Sequence, residues 1–550
     1  MEAAASSAAR PSVRGATIDL LRDRGMTTIF GNPGSTELGL LADLPQDFSY
    51  VMALHESVAV AMADGYAQAT GRPAFVNLHS ACGVGNAMGA VVNAFHNRAP
   101  LVITGGNQDR RHLALEPYLF ARAVELMAPY VKRSEQPARA QDVPAAIARA
   151  WALAQTRPYG PVFVSVPADD WNEAADGGWT ARPRGEMHGA ASPGREALDE
   201  LAARLAAEDE VAIVVGGGVD RDGAWAEVTR LAELLDAPVW AAPQSPRLGF
   251  PEDHPLYRGH LAPGYATAAG QLAGAGLAIV IGAPVFSFLP YEPGERVMPD
   301  IVHLTDDPDE AARAPSRLSL VGDVRAIAAA LVGRLQERPR VRGAAARGRG
   351  AAPRVRPAAP EPREPISPAF LMATLAGAMP ADAVLVEEAP SHRNDLRRHL
   401  WITRPESFFA SASGGLGFAM PAAVGIALAR PDRPVVCLVG DGSALFAPQA
   451  LWSAAQLRVP VTFVVSDNAR YAILESVAAF GGMTGVPSLE LPGVDLVAMA
   501  KSYGCPATRV DDPGKLADAI ETAITRGGPM LIDVAVDRSV PPLLPSSPAA

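Results

Sequence analysis

Short runs of Val and Ile, separated by Ala- and Leu-rich segments of helical period, recur along the chain and constrain its fold more than any other feature. Strands that alternate with helices form parallel sheets covered on both faces, and such buried strands appear as continuous apolar runs. The runs lie at residues 74–78, 101–104, 162–166, 211–215, 277–281, 384–386, 435–439, 461–465 and 530–534. The pattern therefore predicts an α/β protein built from doubly wound parallel sheets.

The domain organisation follows from length and from two interruptions of this pattern. A chain of 550 residues is too long for one hydrophobic core. Residues 337–365 are rich in Arg, Pro, Gly and Ala and predict a linker, and a weaker boundary falls near residues 176–193. We expect a disordered lead at 1–14, α/β domains at 15–185, 186–336 and 366–540, a linker at 337–365 and a tail at 541–550.

Charge and composition exclude several classes of function. The formal net charge is −11, which argues against a nucleic-acid partner. Two uncharged stretches, 271–291 and 407–429, are interrupted by Gly and Pro, so we expect no membrane span. The N-terminus lacks the apolar core of a signal peptide, and the three cysteines show no CxxC spacing. We therefore expect a cytoplasmic protein that acts on a small molecule.

Two oxygen-bearing side chains follow neighbouring predicted strands. Asp441 lies in the sequence Gly-Asp-Gly after the run 435–439, and Asn468 follows the run 461–465. The residues between them fill one strand, helix and strand unit, so both side chains should emerge at the carboxyl edge of a parallel sheet, where such sheets bind ligands.

A phosphate-bound divalent cation is the ligand that this edge favours. The glycines Gly440 and Gly442 let a phosphate approach the backbone, and Ser443 and Ala444 open a helix with free N–H groups. Mg²⁺ prefers oxygen ligands, and the Asp441 carboxylate, the Asn468 amide oxygen and a backbone carbonyl near Arg470 would supply them. The alternative is a structural Gly-Asp-Gly turn with an Asn cap.

A family resemblance extends well beyond this pair. The segments that carry it are 30–37 (FGNPGSTE), 55–56 (HE), 63–67 (ADGYA), 77–80 (NLHS), 85–89 (GNAMG), 281–286 (IGAPVF) and 414–421 (GGLGFAMP). Together with the Gly-Asp-Gly and Asn signature, the chain from about residue 15 to 536 resembles the thiamine diphosphate-dependent 2-oxo acid decarboxylases, and benzoylformate decarboxylase in particular.

The resemblance implies an architecture, cofactors and catalytic residues. It implies a pyrimidine-binding, a middle and a diphosphate-binding domain, a homotetramer with active sites at dimer interfaces, and thiamine diphosphate with Mg²⁺ or Ca²⁺. Glu56 matches the glutamate that binds the cofactor pyrimidine, Ser35 the contact to the substrate carboxylate, and His79 one of two active-site histidines. Read without the family, these residues would be a solvated helical Glu, a turn cap and a structural His.

The resemblance also implies a cofactor set and a substrate set. The cofactor-binding positions are Ser391, Gly414, Gly415, Leu416, Gly440, Gly442, Ser443, Ala444 and Tyr471. The substrate pocket would be formed by Tyr118, Leu119, Leu289, Ile473, Leu474 and Val477, an apolar set that suits an aromatic or branched 2-oxo acid. Core packing is the alternative explanation for these apolar residues.

Several positions depart from the family pattern. Leu289 stands where the second active-site histidine is expected, Pro390 and His392 replace hydroxyl-bearing residues, and Asp467 replaces an Asn. Two hypotheses follow: His79, His392 or water covers the missing proton transfer, or the intermediate attacks a second aldehyde and forms a hydroxyketone.

The expected function is therefore non-oxidative decarboxylation of a 2-oxo acid to an aldehyde and CO₂. A carboligase of acyloin or acetolactate synthase type is one alternative, and a cofactor-binding homologue with impaired catalysis is another. The sequence Gly216-Gly-Gly218 after an apolar run lacks the rest of a dinucleotide motif, so we predict a tight structural turn rather than a flavin site.

Overall fold

Three six-stranded sheets form the framework of the protein. The computed structural model describes residues 11–120, 122–176, 192–287, 289–292, 297–337 and 354–544. Within each sheet every pair of neighbouring strands is parallel. The predicted α/β architecture of three doubly wound parallel sheets is thereby confirmed.

The strand bounds are as follows. The first sheet, in the order β2-β1-β3-β4-β6-β5, contains β1 Thr28–Gly31, β2 Ser49–Met52, β3 Ala74–Leu78, β4 Leu101–Asn107, β5 Ser134–Glu135 and β6 Val162–Pro167. The second, in the order β12-β11-β10-β7-β8-β9, contains β7 Val211–Val215, β8 Val239–Ala241, β9 Tyr257–His260, β10 Leu277–Ile281, β11 Asp300–Thr305 and β12 Leu318–Val321. The third, in the order β14-β13-β15-β16-β18-β17, contains β13 Val384–Glu388, β14 Phe408–Ala410, β15 Val435–Gly440, β16 Val461–Asp467, β17 Ala507–Val510 and β18 Met530–Ala535.

The helices have the following bounds. Up to residue 337 they are α1 Val13–Asp23, α2 Leu38–Leu41, α3 Glu56–Thr70, α4 Ala81–His96, α5 Ala123–Met127, α6 Val143–Ala154, α7 Arg195–Ala207, α8 Gly217–Arg221, α9 Trp225–Leu235, α10 Tyr265–Gln271, α11 Pro308–Arg313 and α12 Val324–Glu337. Beyond it they are α13 Pro368–Ala378, α14 Arg393–His399, α15 Ala419–Ala429, α16 Asp441–Ala444, α17 Ala450–Leu457, α18 Ala472–Phe480, α19 Leu496–Ser502 and α20 Leu516–Thr525. None of the helices in the described part of the chain is long and apolar enough to cross a membrane.

Burial explains which strands the sequence reveals. All nine apolar runs coincide with strands, and those strands are buried along nearly their whole length, as in β4, where every residue is buried. Some of the strands that the pattern does not reveal mix exposed and buried positions, as β2 and β17 do. A strand with one face open to solvent leaves no continuous apolar run.

Contacts divide the chain into two compact units. The first comprises Met1–His188, Ser413–Arg430 and Ala447–Leu457, and the second comprises Gly189–Ala412, Pro431–Phe446 and Arg458–Ala550. The first ten residues of the predicted lead, the boundary at 185/186, residues 338–353 of the linker and residues 545–550 of the tail lie outside the described residues. The division into domains at 15–185, 186–336 and 366–540 therefore stays a prediction.

The first unit depends on a close helix crossing between α3 and α15. A methyl group added at Gly65 would lie 2.3 Å from the carbonyl oxygen of Ala422, and one added at Gly425 would lie 1.9 Å from that of Met62. Only glycine permits two helix backbones to approach this closely. The crossing fixes α3, whose first residue is Glu56.

In the second unit the tight turn predicted for Gly216-Gly-Gly218 is wrong, because Gly216 is the N-cap residue of the short helix α8 and Gly217 and Gly218 are its first two residues. The amide of Gly218 donates to the carbonyl of Gly282 over 2.8 Å. A methyl group at Gly216 would lie 2.3 Å from the Ala283 side chain. Backbone and a small side chain thus occupy the space above β7 and β10 where phosphates would approach a dinucleotide loop.

We expect Gly65→Ala to destabilise the protein, because the added methyl group meets a backbone carbonyl that cannot move without shifting α15. The free energy of unfolding should fall by about 1–3 kcal/mol, as is usual for overpacking. Gly333→Ala in α12 is the matched control, since its methyl group would meet nothing within 4 Å. Equal thermal denaturation midpoints for the two variants would contradict the close crossing.

Candidate active site

The second unit brings the predicted metal pair together. β15 and β16 are adjacent, Asp441 begins α16 directly after β15, and Asn468 follows β16. Both side chains are buried. The amide N–H of Arg470 donates to Asp441 Oδ2 over 3.1 Å and to Asn468 Oδ1 over 3.2 Å. The two oxygens therefore converge on one point at the carboxyl edge of the sheet.

The electrostatics of this edge favour an incoming cation. Burial raises the pKa of Asp441 to about 7, and the nearby Asp467 carboxylate adds to the effect. Asp467 is itself paired with Arg509 over 2.9 Å, and Arg509 also bonds Asp533 over 2.5 Å. The Asp441 carboxyl has backbone N–H groups as its favourable partners. A buried carboxylate in this position gains stability when a positive charge arrives.

The donor set fits a hard divalent ion. A cavity of about 240 Å³ lies beside Asp441 and Asp467, and Leu491, Val494 and Arg509 contribute to its walls. The described residues contain no cluster of three or more His, Cys, Asp or Glu side chains that could hold a metal. The Asp441 carboxylate and the Asn468 amide oxygen are of the donor type that Mg²⁺ and Ca²⁺ accept.

Several predicted cofactor-binding positions surround this edge. The hydroxyl of Ser391 accepts a hydrogen bond from the amide of Ile473 over 3.0 Å and so fixes the start of α18. A methyl group added at Gly442 would lie 2.5 Å from the Tyr471 ring, whereas one at Gly440 would meet nothing closer than 3.8 Å. The buried residues Ser443 and Ala444 lie within the short helix α16.

His392 does not suit the proton-transfer role that the sequence left open for it. Its Nδ1 lies 2.8 Å from the hydroxyl of Ser466, and its Nε2 makes no hydrogen bond within the described part of the chain. Burial lowers the pKa of His392 to about 4. The imidazole is therefore neutral near pH 7.

In the first unit the predicted catalytic glutamate is buried, as expected. Glu56 is the first residue of α3, and its Oε2 accepts a hydrogen bond from Asn86 over 3.1 Å. A methyl group added at Gly83 would lie 3.0 Å from Glu56 Oε1 and 2.9 Å from His79 Cβ. The lack of a side chain at Gly83 thus lets Glu56 and His79 share one small region.

His79 follows β3 and has a carboxylate partner that the sequence did not reveal. Its Nδ1 lies 2.9 Å from Oε2 of the buried Glu37. Glu37 lies 42 positions earlier in the chain, and no spacing rule links the two residues. Ser35 is exposed, and α2 begins at Leu38 with Glu37 as its N-cap residue, so Ser35 does not cap that helix.

The glycine-rich segment before α15 is shaped by its backbone. Gly414 has φ +73°, which favours glycine. The side chain of Asn93 donates to the carbonyl of Gly415 over 3.3 Å, and a methyl group at Gly415 would lie 2.4 Å from Asn93 Oδ1. Leu416 is half-buried beside it.

Three members of the predicted substrate set are too exposed for a role in core packing. Tyr118 is 89% exposed, Leu289 69% and Leu474 47%. Leu119, which has φ +64°, and the pair Ile473 and Val477 are half-buried. Tyr118 and Leu119 belong to the first unit, and the other four belong to the second.

Models of known protein families match the regions of the chain that form the three sheets. Family models for thiamine pyrophosphate enzymes match residues 12–125 (N-terminal TPP binding domain), 198–331 (central domain) and 389–534 (C-terminal TPP binding domain). The chain is 41% identical to benzoylformate decarboxylase of Pseudomonas aeruginosa, over 95% of this chain and 98% of that protein.

Two further relatives extend the comparison. The solved structure of the thiamine diphosphate-dependent 4-hydroxybenzoylformate decarboxylase of Rhodococcus jostii RHA1 superposes with a TM-score of 0.92 at 39% identity, and the match covers 96% of this chain and 100% of that one. A putative acetolactate synthase large subunit of Mycobacterium tuberculosis is 30% identical over 95% of this chain and 98% of its own.

Proposed function

This chain belongs to the thiamine pyrophosphate enzymes, and we propose that it decarboxylates an aromatic 2-oxo acid such as benzoylformate to an aldehyde and CO₂. The observation that carries this proposal is the convergence of Asp441 Oδ2 and Asn468 Oδ1 on one backbone amide, within a chain 41% identical to a benzoylformate decarboxylase. The higher identity to a decarboxylase than to an acetolactate synthase relative, at 30%, favours decarboxylation over the carboligase alternative.

One set of residues would bind the metal ion, and another would bind the organic cofactor. The Asp441 carboxylate, the Asn468 amide oxygen and the Arg470 carbonyl oxygen would bind Mg²⁺ or Ca²⁺. Residues that the resemblance assigns to cofactor binding are Ser391, Gly414, Gly415, Leu416, Gly440, Gly442, Ser443, Ala444 and Tyr471. When bound, thiamine diphosphate supplies a thiazolium ring that accepts the electron pair left by departing CO₂.

The protein's own groups have separate roles at the reacting end. Glu56, buried at the start of α3, would hydrogen-bond a ring nitrogen of the cofactor pyrimidine. The exposed hydroxyl of Ser35 would bind the substrate carboxylate. His79 would move a proton to or from the substrate carbon, since no histidine stands at Leu289.

The substrate surface supports an aromatic acid. Tyr118, Leu119, Leu289, Ile473, Leu474 and Val477 offer apolar contacts, and none of them carries a formal charge. Such a lining favours a phenyl or branched apolar group over a charged side chain. We further infer from the resemblance that the active enzyme is a homotetramer with active sites at dimer interfaces.

We expect Glu56→Gln to abolish most turnover of benzoylformate while thiamine diphosphate still binds. An amide cannot hold a proton as the carboxyl does, so the decarboxylation rate should fall by about 100-fold or more. Steady-state rates and cofactor binding by calorimetry measure the two effects on the same preparation. Unchanged turnover in a folded, cofactor-loaded variant would contradict an enzymatic role and favour a non-catalytic homologue.

We expect Mg²⁺ affinity, measured with saturating thiamine diphosphate, to depend on the ionisation of Asp441. Because its pKa is raised to about 7, a proton must leave before the metal binds. The affinity should therefore fall by about tenfold for each pH unit below 7 and level off above 7.

The variant Asp441→Asn should weaken Mg²⁺ binding at pH 8 and remove this part of the pH dependence. Asp395→Asn is the control, because the pKa of that partly buried carboxyl is also raised but it lies outside the predicted metal set. The same pH dependence in wild type and Asp441→Asn would show that another group binds the metal.

We expect Leu289→His to change the partition between products. A second imidazole should speed protonation of the reaction intermediate, so the yield of aldehyde should rise relative to hydroxyketone when an acceptor aldehyde is present. Chromatographic analysis of both products measures the ratio. If neither yield changes, Leu289 has no part in proton delivery.

A further inference from the structure

We propose that Glu37 is the positioning residue that sets the orientation and protonated nitrogen of His79. This inference rests on the proposed function, because it concerns the histidine that would move a proton at the same site. Nothing in the spacing of the two residues indicated the pair, and it emerges only when β3 and the segment before α2 are brought together.

The contact is a buried carboxylate and imidazole pair. Glu37 Oε2 lies 2.9 Å from His79 Nδ1, and the Glu37 side chain is 1% exposed compared with 18% for that of His79. The hydroxyl of Thr36 donates to the other carboxylate oxygen over 2.5 Å. Both oxygens of Glu37 are therefore engaged, and its carboxylate has a fixed direction.

Two glycines make the space for this pair. A methyl group added at Gly34 would lie 2.0 Å from His79 Nδ1. One added at Gly106 would lie 2.0 Å from Glu37 Oε1 and 2.2 Å from the Thr36 hydroxyl. Any larger residue at either position would displace one member of the pair, so the local sequence is suited to this contact.

The contact with Glu37 determines which ring nitrogen of His79 carries the hydrogen. An ionised carboxylate can only accept, so His79 Nδ1 must carry the hydrogen. Nε2 is then the nitrogen left to face a substrate, as an acceptor when the ring is neutral and as a donor when it is protonated.

The titratable groups near the Glu37 and His79 pair include further acidic side chains. Burial raises the pKa of Glu37, while hydrogen bonds from Thr36 and His79 act in the opposite direction. The hydroxyl of Tyr50 is buried without a hydrogen bond among the described residues, and burial, Glu37 and Glu56 together raise its pKa. His79 is the basic side chain among the largest causes of the pKa shift of Glu37.

The first experiment reads the protonated nitrogen directly. Nitrogen NMR of the ¹⁵N-histidine-labelled, cofactor-free protein, assigned with His79→Ala, distinguishes the two neutral forms of the ring. We expect Nδ1 to carry the hydrogen. A neutral His79 with its hydrogen on Nε2 would overturn the proposal, and this readout is independent of turnover.

The second experiment is a double-variant cycle on benzoylformate decarboxylation. Glu37→Gln keeps the shape but removes the charge, and we expect kcat to fall by roughly tenfold or more with KM changed by less than about twofold. If Glu37 acts through His79, the double variant should be no slower than His79→Ala alone. Losses that multiply in the double variant would overturn the proposal.

Asp64→Asn is the matched control for neutralising a buried carboxyl in the first unit. Asp64 is bonded by Asn97 over 2.7 Å and by Gln68 over 2.8 Å, and burial raises its pKa to about 7. Its kcat should stay within about twofold of wild type. If the wild-type protein does not turn over benzoylformate, the proposed function fails, while the NMR measurement still decides the role of Glu37.

Discussion

Burial of three carboxyl groups, those of Asp441, Glu56 and Glu37, beyond the ends of parallel strands shapes both compact units of the protein. Asp441 is held by backbone N–H groups, Glu56 by the amide of Asn86, and Glu37 by a hydroxyl and an imidazole. Removing a carboxylate from water costs free energy unless a partner compensates. A buried carboxylate of this kind gains stability when a cation or a hydrogen-bond donor arrives.

Glycines beside the buried carboxyl groups leave the space that those groups occupy. A methyl group added at Gly83 would lie 3.0 Å from Glu56 Oε1, and one added at Gly106 would lie 2.0 Å from Glu37 Oε1. The glycines at the crossing of α3 and α15 affect Glu56 indirectly, because they let α15 pack on the helix that begins at Glu56. Small residues in this chain therefore position acids as well as form turns.

The sequence predicted the parts of the fold and site that obey a short-range rule. Asp441 and Asn468 could be placed together because adjacent parallel strands end at one edge, and the buried strands could be found because both of their faces are apolar. The pairing of Glu37 with His79 could not be predicted, since it joins two loops 42 positions apart. The burial of His392 was also beyond the sequence, because it depends on Ser466 from another strand.

Product identity tests the central claim most directly. The purified protein is incubated with benzoylformate and, separately, with pyruvate, each with and without thiamine diphosphate and Mg²⁺, and the products are identified by mass. We expect equal amounts of benzaldehyde and CO₂ from benzoylformate only when both cofactors are present. Untouched benzoylformate alongside acetolactate formed from pyruvate would contradict it.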